Sequence, residues 1–235
     1  MLILLVVIIV KFKIVSLHNT VYLLTVQKHL LLVAEKWVDG VFSVEGHSKR
    51  VLILRMVLDN GLLNFLTVYA PHSGKPEEEK ESFLNDVFHL VSCIPQNAMV
   101  VLAGDMNVNV GSSNTGYNGT HSGFRYGDRN AVGSRILDFA DGLNLVICNT
   151  LFVKQESQLV TYAASPHKSM VDYIIVRQED KAKVRNVKVI PNEGCVPKHK
   201  LLVMDKRFST RKRQHKKFEP RVRVWKLKEE KTCEK

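Results

Sequence analysis

Hydrophobic and polar positions along this chain change period several times, and each change marks an element. Val51-Leu-Ile-Leu-Arg-Met-Val-Leu58 and Leu62-Leu-Asn-Phe-Leu-Thr-Val-Tyr69 read as two strands. Asp59-Asn60-Gly61 between them is hairpin chemistry, because Asn and Gly accept positive φ. Ala70-Pro71-His72-Ser73-Gly74 breaks the second strand. Pro76 then opens a helix, with Glu77, Glu78 and Glu79 at the positive end of its dipole. Phe83, Leu84, Val87, Phe88 and Val91 form its apolar stripe, and Pro95 stops it. Ala98 to Ala103 is unbroken and apolar, ended by Gly104, which predicts a strand buried on both faces. Gly111 to Asn130 is a long polar loop. Ile136, Leu137, Phe139, Ala140 and Leu143 predict a second helix closing near Gly142. Further strands are expected at Leu145–Cys148, Leu159–Tyr162, Val171–Val176, Val184–Ile190 and Leu201–Met204. Strands and helices mix without strict alternation, so an α/β sandwich fits better than a doubly wound parallel sheet.

The ends of the chain behave differently. Met1–Val10 is continuously apolar, about half of what spans a bilayer, and it lacks the flanks of a signal peptide. A core strand or a non-native leader explains it better than a membrane role, and no stable membrane association is expected. Residues 11–34 are apolar without a readable motif. The formal charge of +11 is uneven: from Lys206 to Lys235 there are 13 Lys and Arg against 4 Glu, a net of +9. This segment has no hydrophobic periodicity and reads as a basic tail or linker. It favours a polyanionic partner, nucleic acid or an acidic membrane surface, and nuclear targeting ahead of a cytoplasmic location. The 235 residues suffice for one well-filled domain. Cys93, Cys148, Cys195 and Cys233 stand apart, without a C-x-x-C pair. They read as buried thiols in a reducing compartment rather than as a zinc ribbon or disulfide scaffold.

Candidate chemistry gathers at strand ends. Gly104-Asp105-Met106-Asn107 follows the buried strand, so Asp105 and Asn107, two residues apart, face one way if the backbone stays extended. Asp supplies a base or a hard metal ligand; Asn can hydrogen-bond a phosphoryl oxygen without adding negative charge. Read alone, the tetrapeptide is as easily a turn. Tyr69 ends an earlier strand, Asp172 is a carboxylate inside an apolar strand, where an unpaired charge is costly, and His199 begins the last strand. His72, His121 and His167 read as loop residues, and Arg125 and Arg129 as solvated loop arginines.

With Tyr69-Ala70-Pro71, Gly104-Asp105-Met106-Asn107, Gly127-Asp128-Arg129-Asn130, Ile136-Leu137-Asp138-Phe139-Ala140, Cys148-Asn149-Thr150, Val160-Thr161-Tyr162 and Val171-Asp172-Tyr173-Ile174 in this order, the sequence resembles the endonuclease/exonuclease/phosphatase superfamily. It is most similar to the endonuclease domain of RTE-type (BovB) non-LTR retrotransposons and the derived craniofacial development protein 2-like sequences. The resemblance covers residues 32–205 and leaves 1–31 unmatched. It implies a two-sheet α/β sandwich, N-terminally truncated, whose missing opening strands leave a sheet edge that residues 1–30 partly fill. It also implies magnesium-dependent hydrolysis of DNA. In that reading His199 contacts the scissile phosphate, oriented by Asp172; Asp105 activates water; Asn107 and Tyr69 stabilise the phosphate oxygens. The family builds its main Mg2+ site from an Asn and a Glu at the ends of its first two strands, upstream of the matched part. Residues 1–30 hold Asn19 but no Asp or Glu, so no metal ligand is assigned. Lys198 stands where most members have Asp. The expectation is a DNA endonuclease with weakened or lost activity, or else a non-catalytic nucleic-acid-binding module that uses the basic tail.

Overall fold

The computed structural model describes residues 21–26, 29–58, 61–124, 126–196 and 198–206. Met1–Val10, Arg125 and the tail beyond Lys206 lie outside the described residues. The described part begins with a hairpin of β1 (Val21–Val26) and β2 (His29–Ala34), then a single helical turn, α1 (Glu35–Val38). It continues through β3 (Val41–Ser48), β4 (Val51–Leu58), β5 (Gly61–Tyr69), α2 (Glu77–Ser92), β6 (Met99–Asp105), α3 (Ala131–Gly142) and β7 (Leu145–Ile147). Three short strands follow, β8 (Tyr162–Ala164), β9 (His167–Ser169) and β10 (Asp172–Arg177), before the long β11 (Val184–Val196) and β12 (His199–Lys206). Two main sheets result, ordered β3-β4-β5-β6-β10-β7 and β11-β12-β8-β9. No helix among the described residues is long and apolar enough to cross a membrane.

Alternation along the central strands builds two cores. Met99, Val101 and Ala103 of β6 face the second sheet, meeting Val187, Val189, Leu202 and Met204. Val100 and Leu102 point the other way, onto Phe83, Val87 and Val91 of α2 and Ile136, Leu137 and Ala140 of α3. The expected α/β sandwich is therefore present: helices, six strands, four strands. β6 is buried along its whole length, as an apolar run bounded by loops requires.

Several details differ from the sequence reading. Phe88 belongs to the α2 stripe by spacing, yet is 43% exposed and meets Phe139 edge-on. α3 closes at Gly142 as expected, and the left-handed residue that follows it is Asn144 (φ 52). The strand expected at Leu159–Tyr162 begins only at Tyr162, because the N–H groups of Leu159 and Val160 are taken by the Glu156 carbonyl in a tight turn. Among the described residues, the β1–β2 hairpin pairs only with itself. Residues 21–34 therefore do not extend the β3 edge by backbone pairing, although Val33 is buried in the inter-sheet core. Cys148 is buried, and burial pushes its thiol up to about 12, but Cys93 is exposed. Lys206, counted with the basic tail, closes β12 as a fully buried residue paired with Asp180 at 3.4 Å.

Gly104 is not the strand breaker its sequence position suggested; it lies inside β6, paired with Val68 on one side and Tyr173 on the other. A Cβ there would meet the Val68 carbonyl oxygen at 1.8 Å. Gly104→Ala should force β5 and β6 apart and destabilise the fold by about 3 kcal/mol. Urea unfolding would measure this, and an unchanged midpoint would refute the close-packing argument.

Candidate active site

Strand register gathers the site. Tyr69 of β5 pairs with Asp105 of β6, and Asp105 pairs in turn with Asp172 of β10. Cross-strand partners project to the same face, so one row places a phenol and two carboxylates side by side at one end of the large sheet. Ala103 shares the face of Asp105 and packs between the sheets, so the row looks toward the second sheet. His199, the first residue of β12, comes from there. Its Nδ1 lies 3.0 Å from Asp172 Oδ2, and its ring meets Tyr162 edge-on at 4.9 Å. Asp172 can only accept, so Nδ1 carries the hydrogen and Nε2 is left as the outward nitrogen. Asp105, Asp172 and His199 each offer a ligand atom within 4.8 Å of the others.

Asn107 reaches the same place by a different route from the one its spacing suggested. Its φ of 51 takes it out of the extended region. The backbone N–H folds back to donate to Asp105 Oδ1 at 2.8 Å, and Nδ2 donates to the Ala70 carbonyl at 2.8 Å. An Asx-type turn, not strand alternation, joins Asp105 to Asn107. The tetrapeptide is thus a turn former that also carries two candidate site residues.

The electrostatics follow from burial. Asp105 is 5% exposed, and desolvation, reinforced by the charge of Asp172, pushes its carboxyl up to about 7 despite the Asn107 N–H and His199. Burial opposes a charged His199, but the hydrogen bond and charge of Asp172, aided by Asp105, hold its imidazole above its ordinary value.

Two residues with no role in the sequence reading hold Asp172. Asn149 Nδ2 donates to the Asp172 carbonyl at 3.1 Å, and its Oδ1 accepts from Ile174 N–H at 2.9 Å. It continues by side chain the pairing that β7 ends at Ile147. Thr161 Oγ1 accepts from the N–H groups of Val171 and Asp172, at 3.0 and 3.1 Å. Both belong to recognised motifs, but nothing in their spacing says they grip the carboxylate strand. Arg50 was equally silent. Its Nη1 donates to the Tyr69 carbonyl at 3.2 Å, its guanidinium lies 5.7 Å from the Tyr69 ring centre, and Glu79 pairs with it at 2.5 Å.

The same arrangement of sheets occurs in solved nuclease structures. The endonuclease domain of TRAS1, a telomere-specific non-LTR retrotransposon, aligns with a TM-score of 0.54 at 16% identity over 81% of this chain and 79% of that one. The 3'-5' exonuclease NExo from Neisseria meningitidis gives 0.57 at 12% identity over 80% of each chain. This chain has the endonuclease/exonuclease/phosphatase fold. D. rerio TDP2 complexed with single strand DNA product shares the fold, with a TM-score of 0.55 at 15% identity over 80% of this chain and 77% of that one. By sequence, craniofacial development protein 2 of Bos taurus is 32% identical over 175 residues, 74% of this chain and 29% of that protein. The Tragulus javanicus protein is 30% identical over 175 residues, 74% of this chain and 30% of its own length. The chain thus spans under a third of the curated relatives it matches. No protein-family model matches it.

Within this fold the lesser candidates find structural work. Arg129 is not merely solvated: Nε donates to the Val110 carbonyl at 3.2 Å, another nitrogen donates to Ser113, and the guanidinium lies 5.2 Å from the Tyr117 ring centre. It pins the 111–130 loop. His121 is fully buried, its Nδ1 accepting from Gly123 N–H at 3.0 Å. His72 Nδ1 caps its own turn at Gly74 N–H.

Proposed function

We propose that this domain hydrolyses phosphodiester bonds in DNA. The observation that carries the reading is the His199–Asp172 pair at 3.0 Å, bridging two sheets beside the desolvated Asp105. A base is most effective when it titrates near working pH, and Asp105 is placed there by burial. In this reading Asp105 takes the proton of the attacking water. His199, held by Asp172, presents Nε2 to a phosphate oxygen. Asn107 keeps one amide hydrogen for a second oxygen, since the other is held by Ala70. Tyr69 Oη serves a third.

The donor set fits a divalent cation, with Mg2+ as the proposed ion. Two carboxylates and an imidazole converge, and a cation would relieve the crowding of like charge that raises Asp105. Asp172 would hold it, leaving Asp105 as the base, and it would neutralise charge developing on the phosphate. Lys198, exposed beside His199, would repel it, which supports an attenuated nuclease. The net +8 of residues 207–235, twelve Lys and Arg against four Glu, supports the second reading, a nucleic-acid-binding module without catalysis, and a nuclear location.

Supercoiled plasmid separates the two. Slow nicking in Mg2+ that stops in EDTA, and falls on the order of 10²- to 10⁴-fold in His199→Ala, is the expected result. Tight plasmid binding with no nicking in any divalent metal would leave only the binding module.

A further inference from the structure

Thr161 is fully buried and is bonded to the strands that carry both halves of the His199–Asp172 pair. On one side its Oγ1 accepts from the N–H groups of Val171 and Asp172, at 3.0 and 3.1 Å. On the other its carbonyl accepts at 2.8 Å from the N–H of Lys200, the residue after His199 in β12. Its own N–H donates to the Ser169 carbonyl at 3.1 Å, which fixes its backbone between the two. The attachment of β12 to β8 is narrow. Among the described residues it has one register pair, His199 with Tyr162. Two bonds flank that pair, Lys200 N–H to Thr161 and Ala163 N–H to the Lys198 carbonyl, each at 2.8 Å. Lys198 sits at φ 75, a left-handed conformation that a residue other than glycine keeps where its surroundings impose it.

We infer that Thr161 is a positioning residue for the His199–Asp172 pair, closing a ring of hydrogen bonds that holds carboxylate and imidazole at bonding distance. The ring runs from the Asp172 carboxylate to His199 Nδ1 and along the backbone to Lys200 N–H. It continues to the Thr161 carbonyl and returns through Thr161 Oγ1 to Asp172 N–H. Asn149 differs: its two bonds both go to β10, so it fixes the carboxylate's strand without reference to His199. Removing the Thr161 hydroxyl would leave two strand N–H groups without their buried acceptor. Serine keeps that oxygen, whereas valine keeps only the shape. The inference rests on the nuclease reading only for the use to which the pair is put.

The test is proton magnetic resonance on the full chain in EDTA, without DNA. The His199 Nδ1–H, bonded to a carboxylate, should give a low-field signal sheltered from exchange with water. Thr161→Val should lose that signal to exchange, and Thr161→Ser should restore it. Val87→Ala, in the α2 layer, is the control: it should lower the melting temperature and leave the signal in place. Hydrogen exchange on the wild-type chain needs no variant and decides alone should Thr161→Val not fold. The amides of Asp172 and Lys200 should show protection within about 3-fold of each other, as parts of one opening unit. A signal that persists in Thr161→Val, fails to return in Thr161→Ser or vanishes in Val87→Ala overturns the positioning role. So does protection of the two amides differing by more than about 10-fold. Plasmid nicking is scored apart, with kcat expected to fall about 10²-fold in Thr161→Val at unchanged KM. No nicking by the wild-type chain, with the signal still following Thr161, would sink the nuclease reading and leave the ring. Nicking by Thr161→Val at the wild-type rate would sink the positioning role alone.

Discussion

Asp105→Asn should make this protein more stable in alkaline solution while stopping its chemistry. In the fold Asp105 is raised from 3.8 to about 7, so its protonated form is the one the buried site prefers. A carboxyl shifted upward stabilises the fold fully only below its unfolded value. That contribution is lost as pH rises from about 4 to about 7, and at pH 8 the ionised group is a net burden of roughly 4 kcal/mol relative to a neutral one. Asn is neutral at every pH and its oxygen can still accept the Asn107 N–H. Urea unfolding in EDTA should therefore give a variant several kcal/mol more stable than wild type at pH 8, with the gap closing toward pH 4. Plasmid nicking should fall on the order of 10²-fold or more, because Asn cannot take a proton. A variant less stable than wild type at pH 8 would show that the carboxylate is satisfied rather than crowded.

Asp180→Ala should be among the most damaging single changes away from the site. Asp180 is 4% exposed and pairs with Lys183 at 2.7 Å and with the fully buried Lys206 at 3.4 Å. Burial lowers the Lys206 ammonium and Asp180 opposes that, so truncating Asp180 strips a desolvated cation of its carboxylate. A loss of about 3–5 kcal/mol is expected. Lys206→Met, which keeps the length of the side chain and removes the charge, should stay near wild type because Lys183 still serves Asp180. Thermal melts of the two variants decide it: equal losses would mean that the pair matters for packing and not for charge.

Much of this architecture was legible because apolar period reports burial directly. The run from Ala98 to Ala103 could only be a central strand, and the Pro76-to-Pro95 frame bounded α2 closely. β3 was missed because its residues are half-buried at a sheet edge, so Val41, Phe42 and Val44 alternate too weakly to register. β8 and β9 were blurred because three-residue strands carry no period, and their place depends on pairing with β12. The five candidate residues were visible as chemistry at strand ends. Their convergence was not, since it rests on the Tyr69–Asp105–Asp172 register and on a second sheet delivering His199. Asn149, Thr161 and Arg50 act through backbone atoms of their partners, and backbone partners leave no trace in side-chain pattern.

The 3.0 Å contact between His199 and Asp172 has a mechanical consequence. Its two ends are carried by different sheets, whose relative position is set by interdigitated side chains such as Ile174 and Leu202. The contact is thus a vernier for shear between the layers. A core substitution far from the phosphate that lets one sheet slide by a fraction of an ångström would be magnified there, while melting curves barely moved. Loss of the His199–Asp172 contact would then precede loss of fold, and the His199 ring resonance would register slippage that unfolding experiments miss.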